Sequence, residues 1–262
     1  MSHNKPATTN WQHPSKKPIL PGDRVHLWRA QLDLSACQIE SLATLLSNDE
    51  IARANRFRFE IHRQRFIVAR GILRLLLGHY LEIAPNNIKF QYSDRGKPFL
   101  AGSKQDSSLQ FNISHSQAYA LYGFTYNHPI GVDLEYTRNT PDAVKIARRF
   151  FSQEESKLIE EASDEERAIK FCQLWTAKEA YLKAVGTGLS GSLSSVKISL
   201  ERDREPKLLA IEQDPSAAAN WSLYPCFPTP DFLAAVAIAA PIARHQINYW
   251  HWHPNLFPIT II

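Results

Sequence analysis

Two stretches of this chain are punctuated in the same way, and that echo restricts the fold more than any other feature. Ala69-Arg70 precedes Gly78 at the spacing with which Ala177-Lys178 precedes Gly186. Ten residues beyond each glycine stands a similar apolar-basic-apolar triplet, Ile88-Lys89-Phe90 and Val196-Lys197-Ile198. Upstream, Arg56-Phe57 and Arg149-Phe150 each precede an acidic position and a long helical pattern. Repetition at one offset predicts two related α+β lobes, each a helix packed on a small, mostly antiparallel sheet. The expected division is an N-terminal arm over 1–23, one lobe over 24–128, a second over 129–240 and a tail over 241–262. A ligand would lie in the cleft between the lobes.

The second echo carries the chemistry. Phe171 to Val185 is rich in Ala and Leu, free of internal Gly and Pro, and stopped by Gly186, which predicts a helix. At helical spacing Ala168, Cys172, Trp175 and Leu182 share a face, expected to meet the core. Glu179 falls on the same face and Lys183 one turn further along it. Read blandly, these two form an (i, i+4) pair on a wet rim, contributing about 0.3 kcal/mol. Read functionally, Glu179 is a carboxylate inside an apolar face, which is costly unless something positive compensates it.

A second acidic site favours the functional reading. In Ile130-Gly131-Val132-Asp133-Leu134-Glu135, strand alternation points Gly131, Asp133 and Glu135 to one face, and Gly131 leaves space beside the two carboxylates. A lone Asp-x-Glu is an ordinary polar sheet face. Joined by Glu179 it makes three carboxylates with no Cys or His, a donor set suited to Mg²⁺ or Mn²⁺ with a phosphate-bearing substrate. Between Arg53 and Arg74 seven arginines face a single Glu60, interleaved with Phe57, Phe59, Phe66, Ile67 and Leu73, so this segment is read as helical, partly buried and cationic. Without a ligand it is a solvated basic helix, or one that meets nucleic acid. No P-loop or kinase-like glycine pattern is present.

The remaining features bound the class. With 262 residues, 44% hydrophobic and 21% charged, the chain suits a globular protein, and no apolar run reaches membrane-spanning length. Met1 to Pro21 is polar and lacks the apolar centre of a secretory signal, so it reads as a loose arm. Cys37, Cys172 and Cys226 are scattered, which fits a reducing cytoplasm. His251-Trp252-His253 lacks a third ligand and reads as structural.

Gly131-Val132-Asp133-Leu134-Glu135 followed by Trp175-Thr176-Ala177-Lys178-Glu179-Ala180-Tyr181-Leu182-Lys183 resembles the paired signature of the 4′-phosphopantetheinyl transferases. Arg95-Gly96-Lys97-Pro98 and Phe111-Asn112-Ile113-Ser114-His115-Ser116 resemble segments of the larger, surfactin-synthetase-activating type. The resemblance runs from about Ser47 to Leu189. It implies a pseudo-twofold, two-lobe monomer that binds coenzyme A and Mg²⁺ and moves 4′-phosphopantetheine onto a serine of an apo carrier protein. Carried over by position, Asp133, Glu135 and Glu179 would hold the metal, and Lys183 would meet the phosphates and support the leaving group. Ser114 and His115 would bind coenzyme A phosphates, Lys97 and Pro98 would line the adenine site, and Arg53 and Arg65 would meet the 3′-phosphate. Glu155 would be the base for the carrier serine, with a metal-linked water as its rival. The resemblance assigns no nucleic-acid or membrane partner. Whether the carrier serves fatty-acid, polyketide or peptide synthesis is left open by the sequence.

Overall fold

The computed structural model describes residues 9–101, 109–137, 140–186, 193–200, 206–212 and 214–259. Its elements run twice through the same order. The first run is β1 (Val25–Gln31), α1 (Ala36–Ala43), α2 (Asn48–Ala54), α3 (Glu60–Leu81), a 3₁₀ turn at Pro85–Asn87, then β2 (Phe90–Tyr92), β3 (Pro98–Leu100), β4 (Leu109–Ser116) and β5 (Tyr119–Tyr126). The second is β6 (Ile130–Tyr136), α4 (Ala143–Phe150), α5 (Gln153–Glu160), α6 (Asp164–Val185), a 3₁₀ turn at Leu193–Ser195, β7 (Val196–Ser199), β8 (Lys207–Ile211), β9 (Ser222–Thr229) and β10 (Phe232–Ile238). A short helix, α7 (Pro215–Ala218), is added before β9. The architecture is α+β. α3 and α6 are each 22 residues long and each lies with a mostly antiparallel sheet, β4-β5-β1 and β9-β10-β6.

Local chemistry explains the element starts. Ser47 and Ser152 open α2 and α5 with reciprocal capping boxes, in which Glu50 and Glu155 accept from the cap backbones. Both glutamates are then drawn into the core by cations from the long helices. Arg70 Nε donates to Glu50 Oε1 at 2.7 Å and Arg74 Nε to Oε2 at 2.6 Å. Lys178 Nζ stands 2.9 Å from Glu155 Oε2. The same cations tie down the chain beyond each helix. Arg74 Nη1 donates to Pro85 O and Ile88 O, both at 3.0 Å, and Lys178 Nζ donates to Leu193 O at 2.8 Å and to Val196 O. Pro85 and Ile88 follow Arg70 by 15 and 18 residues, as Leu193 and Val196 follow Lys178. The echo in the sequence is therefore a repeated buried clamp. Arg70 and Arg74, read among the cations of a basic segment, are core residues at 7% and 1% exposure.

Two other expectations change. From Thr9 onward the N-terminal segment is anchored at several points: Trp11 and Leu20 are buried, Trp11 Nε1 donates to Phe227 O at 2.9 Å, and Gln12 bridges to Trp250. An aromatic ring gains more from a sheet edge than from water, so the loose arm is not seen there. The tail supplies β11 (Ile247–His251), parallel to β1, which extends the first sheet. Trp252 is buried beside it, and His251 Nδ1 accepts from Arg29 Nε at 3.1 Å.

Candidate active site at the junction of the lobes

α6 reaches its position through Gly131. A Cβ built there would stand 2.0 Å from Ala180 O and 2.4 Å from Ala184 N, so only glycine lets the helix backbone rest on β6. The space expected beside the carboxylates is thus filled by the helix, not left for a cation. That close approach sets Glu179 and Lys183, the neighbours of Ala180 and Ala184, over Asp133. α6 is also buried on more than the one expected face, including Phe171, Leu174 and the run Thr176 to Leu182, while Trp175 is only half-buried.

The polar centre joins three elements. Asp133 is 3% exposed; its Oδ1 accepts from Lys183 Nζ at 2.5 Å and from Ser114 Oγ at 3.0 Å. Lys183 Nζ also donates to Ser114 Oγ at 2.9 Å. Ser116 Oγ donates to Glu135 Oε2 at 3.2 Å, and Asn112 Oδ1 accepts from Val132 N at 2.9 Å. Asn112, Ser114 and Ser116 thus zip the polar face of β4 onto β6. Asn112 and Ser116 had no assigned part in the sequence reading, although period-two alternation with Ser114 is a signal that could have found them.

Burial pushes the Glu179 carboxyl up to about 7; the Asp133 charge adds to this, Lys183 opposes it and Glu135 adds a little. Asp133 Oδ2 and Glu179 Oε1 are buried and accept no hydrogen bond. Among the described residues no trio of His, Cys, Asp and Glu closes into a finished cation site, and the Lys183 ammonium supplies the positive charge on Asp133. Two orphaned anionic oxygens beside a third carboxylate nevertheless fit a hard divalent cation in chemistry.

His115 follows Ser114 at the outer end of β4. Desolvation, Lys183, and more weakly Arg53 and His62 hold its pKa below the usual value. With Phe57, His62, Arg65 and Phe66 it lines an open cavity of about 230 Å³. Arg53 lays its guanidinium over Phe66 at 5.5 Å. Arg65 is engaged by Asp33 through two hydrogen bonds of 2.7 and 2.9 Å. His62 is a cavity residue that the sequence reading did not single out. Lys97 is half-buried next to Pro98 at the start of β3; its Nζ donates to Ala184 O at 2.9 Å, and burial lowers its pKa to about 8.

Glu155 does not belong to this centre. It is 4% exposed, its Oε1 accepts from Ile198 N at 2.8 Å, and its Oε2 accepts from Ser152 N at 2.8 Å beside Lys178. Both oxygens are occupied inside the second clamp, so the residue is not available as a base for an incoming hydroxyl.

The two lobes share the scaffold but not the site. Asp133 and Glu135 are the fourth and sixth residues of β6, and the fourth and sixth residues of β1 are Trp28 and Ala30, both fully buried. Glu179 follows Lys178 where Gly71 follows Arg70. The first lobe therefore has apolar or absent side chains at all three acidic positions.

Two sequence profiles match the chain. A profile of the 4′-phosphopantetheinyl transferase superfamily matches residues 129–237, and one of the 4′-phosphopantetheinyl transferase N-terminal region matches residues 30–123. The chain is 44% identical over 233 residues to the 4′-phosphopantetheinyl transferase HetI of Nostoc sp., covering 89% of this chain and 94% of that protein. It is 32% identical to the transferase psf-1 of Bacillus pumilus, covering 80% and 86%, and 27% identical to Sfp of Bacillus subtilis, covering 76% and 89%. The solved holo-[acyl-carrier-protein] synthase of Helicobacter pylori in complex with coenzyme A overlaps 41% of this chain and 96% of its own, at 21% identity and a TM-score of 0.33.

Proposed function

The chain belongs to the 4′-phosphopantetheinyl transferase superfamily, and from that premise we propose that it transfers 4′-phosphopantetheine from coenzyme A to a serine of an apo carrier protein. The serine oxygen attacks the phosphorus that bears pantetheine. The bond to the bridging pyrophosphate oxygen breaks, and adenosine 3′,5′-bisphosphate leaves. The observation that carries the reading is the convergence of Asp133, Glu179, Lys183 and Ser114 at the lobe junction, with two buried carboxylate oxygens lacking partners.

Phosphoryl transfer needs positioning and charge neutralisation more than covalent help. Asp133, Glu135 and Glu179 are the residues that would hold Mg²⁺, or Mn²⁺ in its place, and the metal would neutralise charge on the pyrophosphate. Lys183 is freed from Asp133 to meet the phosphates and to support the leaving oxygen. Ser114, on Lys183, and His115, on the cavity wall, are assigned to phosphate oxygens. Arg53 is assigned to the 3′-phosphate. Arg65 takes part only if it leaves Asp33. The turn at Lys97 and Pro98 lines the adenine. With Glu155 engaged in its clamp, the rival is favoured, and the metal would supply the base for the serine proton as a bound water.

A nucleic-acid reading of the arginine segment loses two of its seven cations, because Arg70 and Arg74 are internal. Among the described residues no helix is long and apolar enough to cross a membrane, and all three cysteines are free. We assign the enzyme to the cytoplasm as a monomer with coenzyme A and carrier proteins as its partners. The test is incubation with Mg²⁺, coenzyme A and a broad panel of apo carriers from fatty-acid, polyketide and peptide synthesis, followed by mass spectrometry. At least one carrier gains the phosphopantetheine mass, and the gain vanishes with chelator. No gain on any carrier overturns the reading.

A further inference from the structure

Among the described residues no backbone ladder joins the two main sheets. β4 ends the first and β6 ends the second, and side chains of β4 span the junction. An edge strand turns alternate N–H groups away from its own ladder, and a buried one needs an acceptor. Val132 is fully buried, and its N–H donates to the Asn112 side-chain carbonyl, Oδ1, at 2.9 Å. Four residues on, Tyr136 N donates to Ser116 Oγ at 3.2 Å. These two backbone anchors bracket Asp133 and Glu135, whose carboxylates accept from Ser114 and Ser116.

Asn112 is the anchor next to Asp133, and it is 4% exposed. Its partner across the first sheet is Gly123. A Cβ there would stand 2.9 Å from both Val132 Cγ1 and Ile130 Cδ1. Glycine and asparagine thus make one seat: Gly123 admits the Val132 side chain, and Asn112 takes the Val132 N–H. An amide carbonyl accepts without charge, so the seat adds no fourth anion beside Asp133, Glu135 and Glu179. Strand residues advance about 3.3 Å each, and a slip of one turns every side chain to the opposite face. With Val132 on Asn112, Asp133 meets Ser114 and Glu135 meets Ser116.

We propose that Asn112 is a positioning residue: through Val132 N it fixes where β6 crosses the first lobe, and so aligns the Asp133 and Glu135 carboxylates to hold a divalent cation. This rests on the transferase reading and deepens it, by naming the contact between lobes on which the acidic set depends.

The experiment compares Asn112→Leu, which keeps the volume and removes the acceptor, with Asn112→Asp, which keeps an oxygen for Val132 N. Ser222→Ala is the control: it removes a buried hydroxyl that joins Ile242 N and Ala240 O within the second lobe. Mn²⁺ affinity is read by electron paramagnetic resonance, β6 amides by hydrogen exchange, stability by thermal melting and kcat by carrier loading. Asn112→Leu is expected to exchange faster at Val132 to Leu134, to bind Mn²⁺ roughly tenfold more weakly and to lose about tenfold in kcat. Asn112→Asp is expected to restore protection at Val132. Ser222→Ala is expected to melt lower with Mn²⁺ affinity unchanged. A lower melting temperature for Asn112→Leu with wild-type Mn²⁺ affinity would make Asn112 a merely structural residue and overturn the proposal. Equal losses of Mn²⁺ affinity in Asn112→Leu and Ser222→Ala, or a wild type that binds no Mn²⁺, would overturn it too. If Asn112→Leu does not fold, Asn112→Ala takes its place. Exchange and metal binding need no turnover, so a wild type that binds Mn²⁺ but loads no carrier would overturn the transferase reading and leave this test standing.

Discussion

The Lys183 ammonium donates to Asp133 Oδ1 over 2.5 Å, so the acidic centre holds a cation of its own before any ligand arrives. A divalent ion that takes Asp133 must displace it. Lys183→Met is expected to bind Mn²⁺ roughly ten- to a hundredfold more tightly in the absence of coenzyme A, the value of one charge-assisted hydrogen bond, while carrier loading falls. Titration of the metal followed by electron paramagnetic resonance reads the first effect without turnover. Equal affinity in both proteins would mean that Lys183 and the metal do not compete.

Glu179 makes the metal-free fold sensitive to pH. Its pKa is raised from 4.5 to about 7, chiefly by burial, so between those values the folded chain keeps a proton that the unfolded chain has lost. Stability therefore falls as pH rises through that window. After allowance for partial screening the loss is on the order of 1–3 kcal/mol. Glu179→Gln has no such slope. Thermal melts without metal should coincide at pH 4 and favour the variant at pH 8, although the variant transfers little. A variant that melts below wild type at pH 8 would show that the carboxylate is well compensated.

The Glu155–Lys178 pair is a fold element, and substitutions separate this from a role as base. Removing either partner leaves a buried charge alone, at a cost of about 3–5 kcal/mol. Glu155→Gln and Lys178→Met should each lower the urea midpoint strongly, and the double variant should lose less than the two single losses combined. Glu155→Gln with wild-type stability and lost turnover would restore Glu155 as a base.

Gly131 is the contact on which the site is built. Gly131→Ala places a methyl 2.0 Å from Ala180 O, so strand and helix must separate. The expected cost is several kcal/mol, at or beyond the upper end for overpacking. Loss of transfer accompanies it, because Glu179 and Lys183 move with the helix. Gly22→Ala, where nothing lies within 4 Å, is the control and should melt like wild type.

Much of the site was legible because its signals are local. Gly186 stops α6, Ser47 caps α2, and the alternation of Ile130 to Glu135 puts Asp133 and Glu135 on one face whatever surrounds them. Spacing alone also exposed the repeat, because each copy must rebuild the same buried clamp. The purpose of that spacing was not legible. Arg70 and Lys178 look like surface cations until Glu50 and Glu155, 20 and 23 residues upstream, are folded against them.

The sequence by itself therefore determined the element types and the twofold repetition, and it put Asp133 and Glu135 on one strand face. These follow from backbone propensity, side-chain period and donor chemistry, each of which acts over a few residues. Only the tertiary structure decided which charges are internal and which remain free. It buried Glu155 with Lys178, turned the Lys97 ammonium onto Ala184 O, and laid α6 against Gly131 so that Lys183 met Asp133. The physical reason is that the cost of a charge depends on the dielectric and the partners around it, and both are supplied by segments distant in the chain.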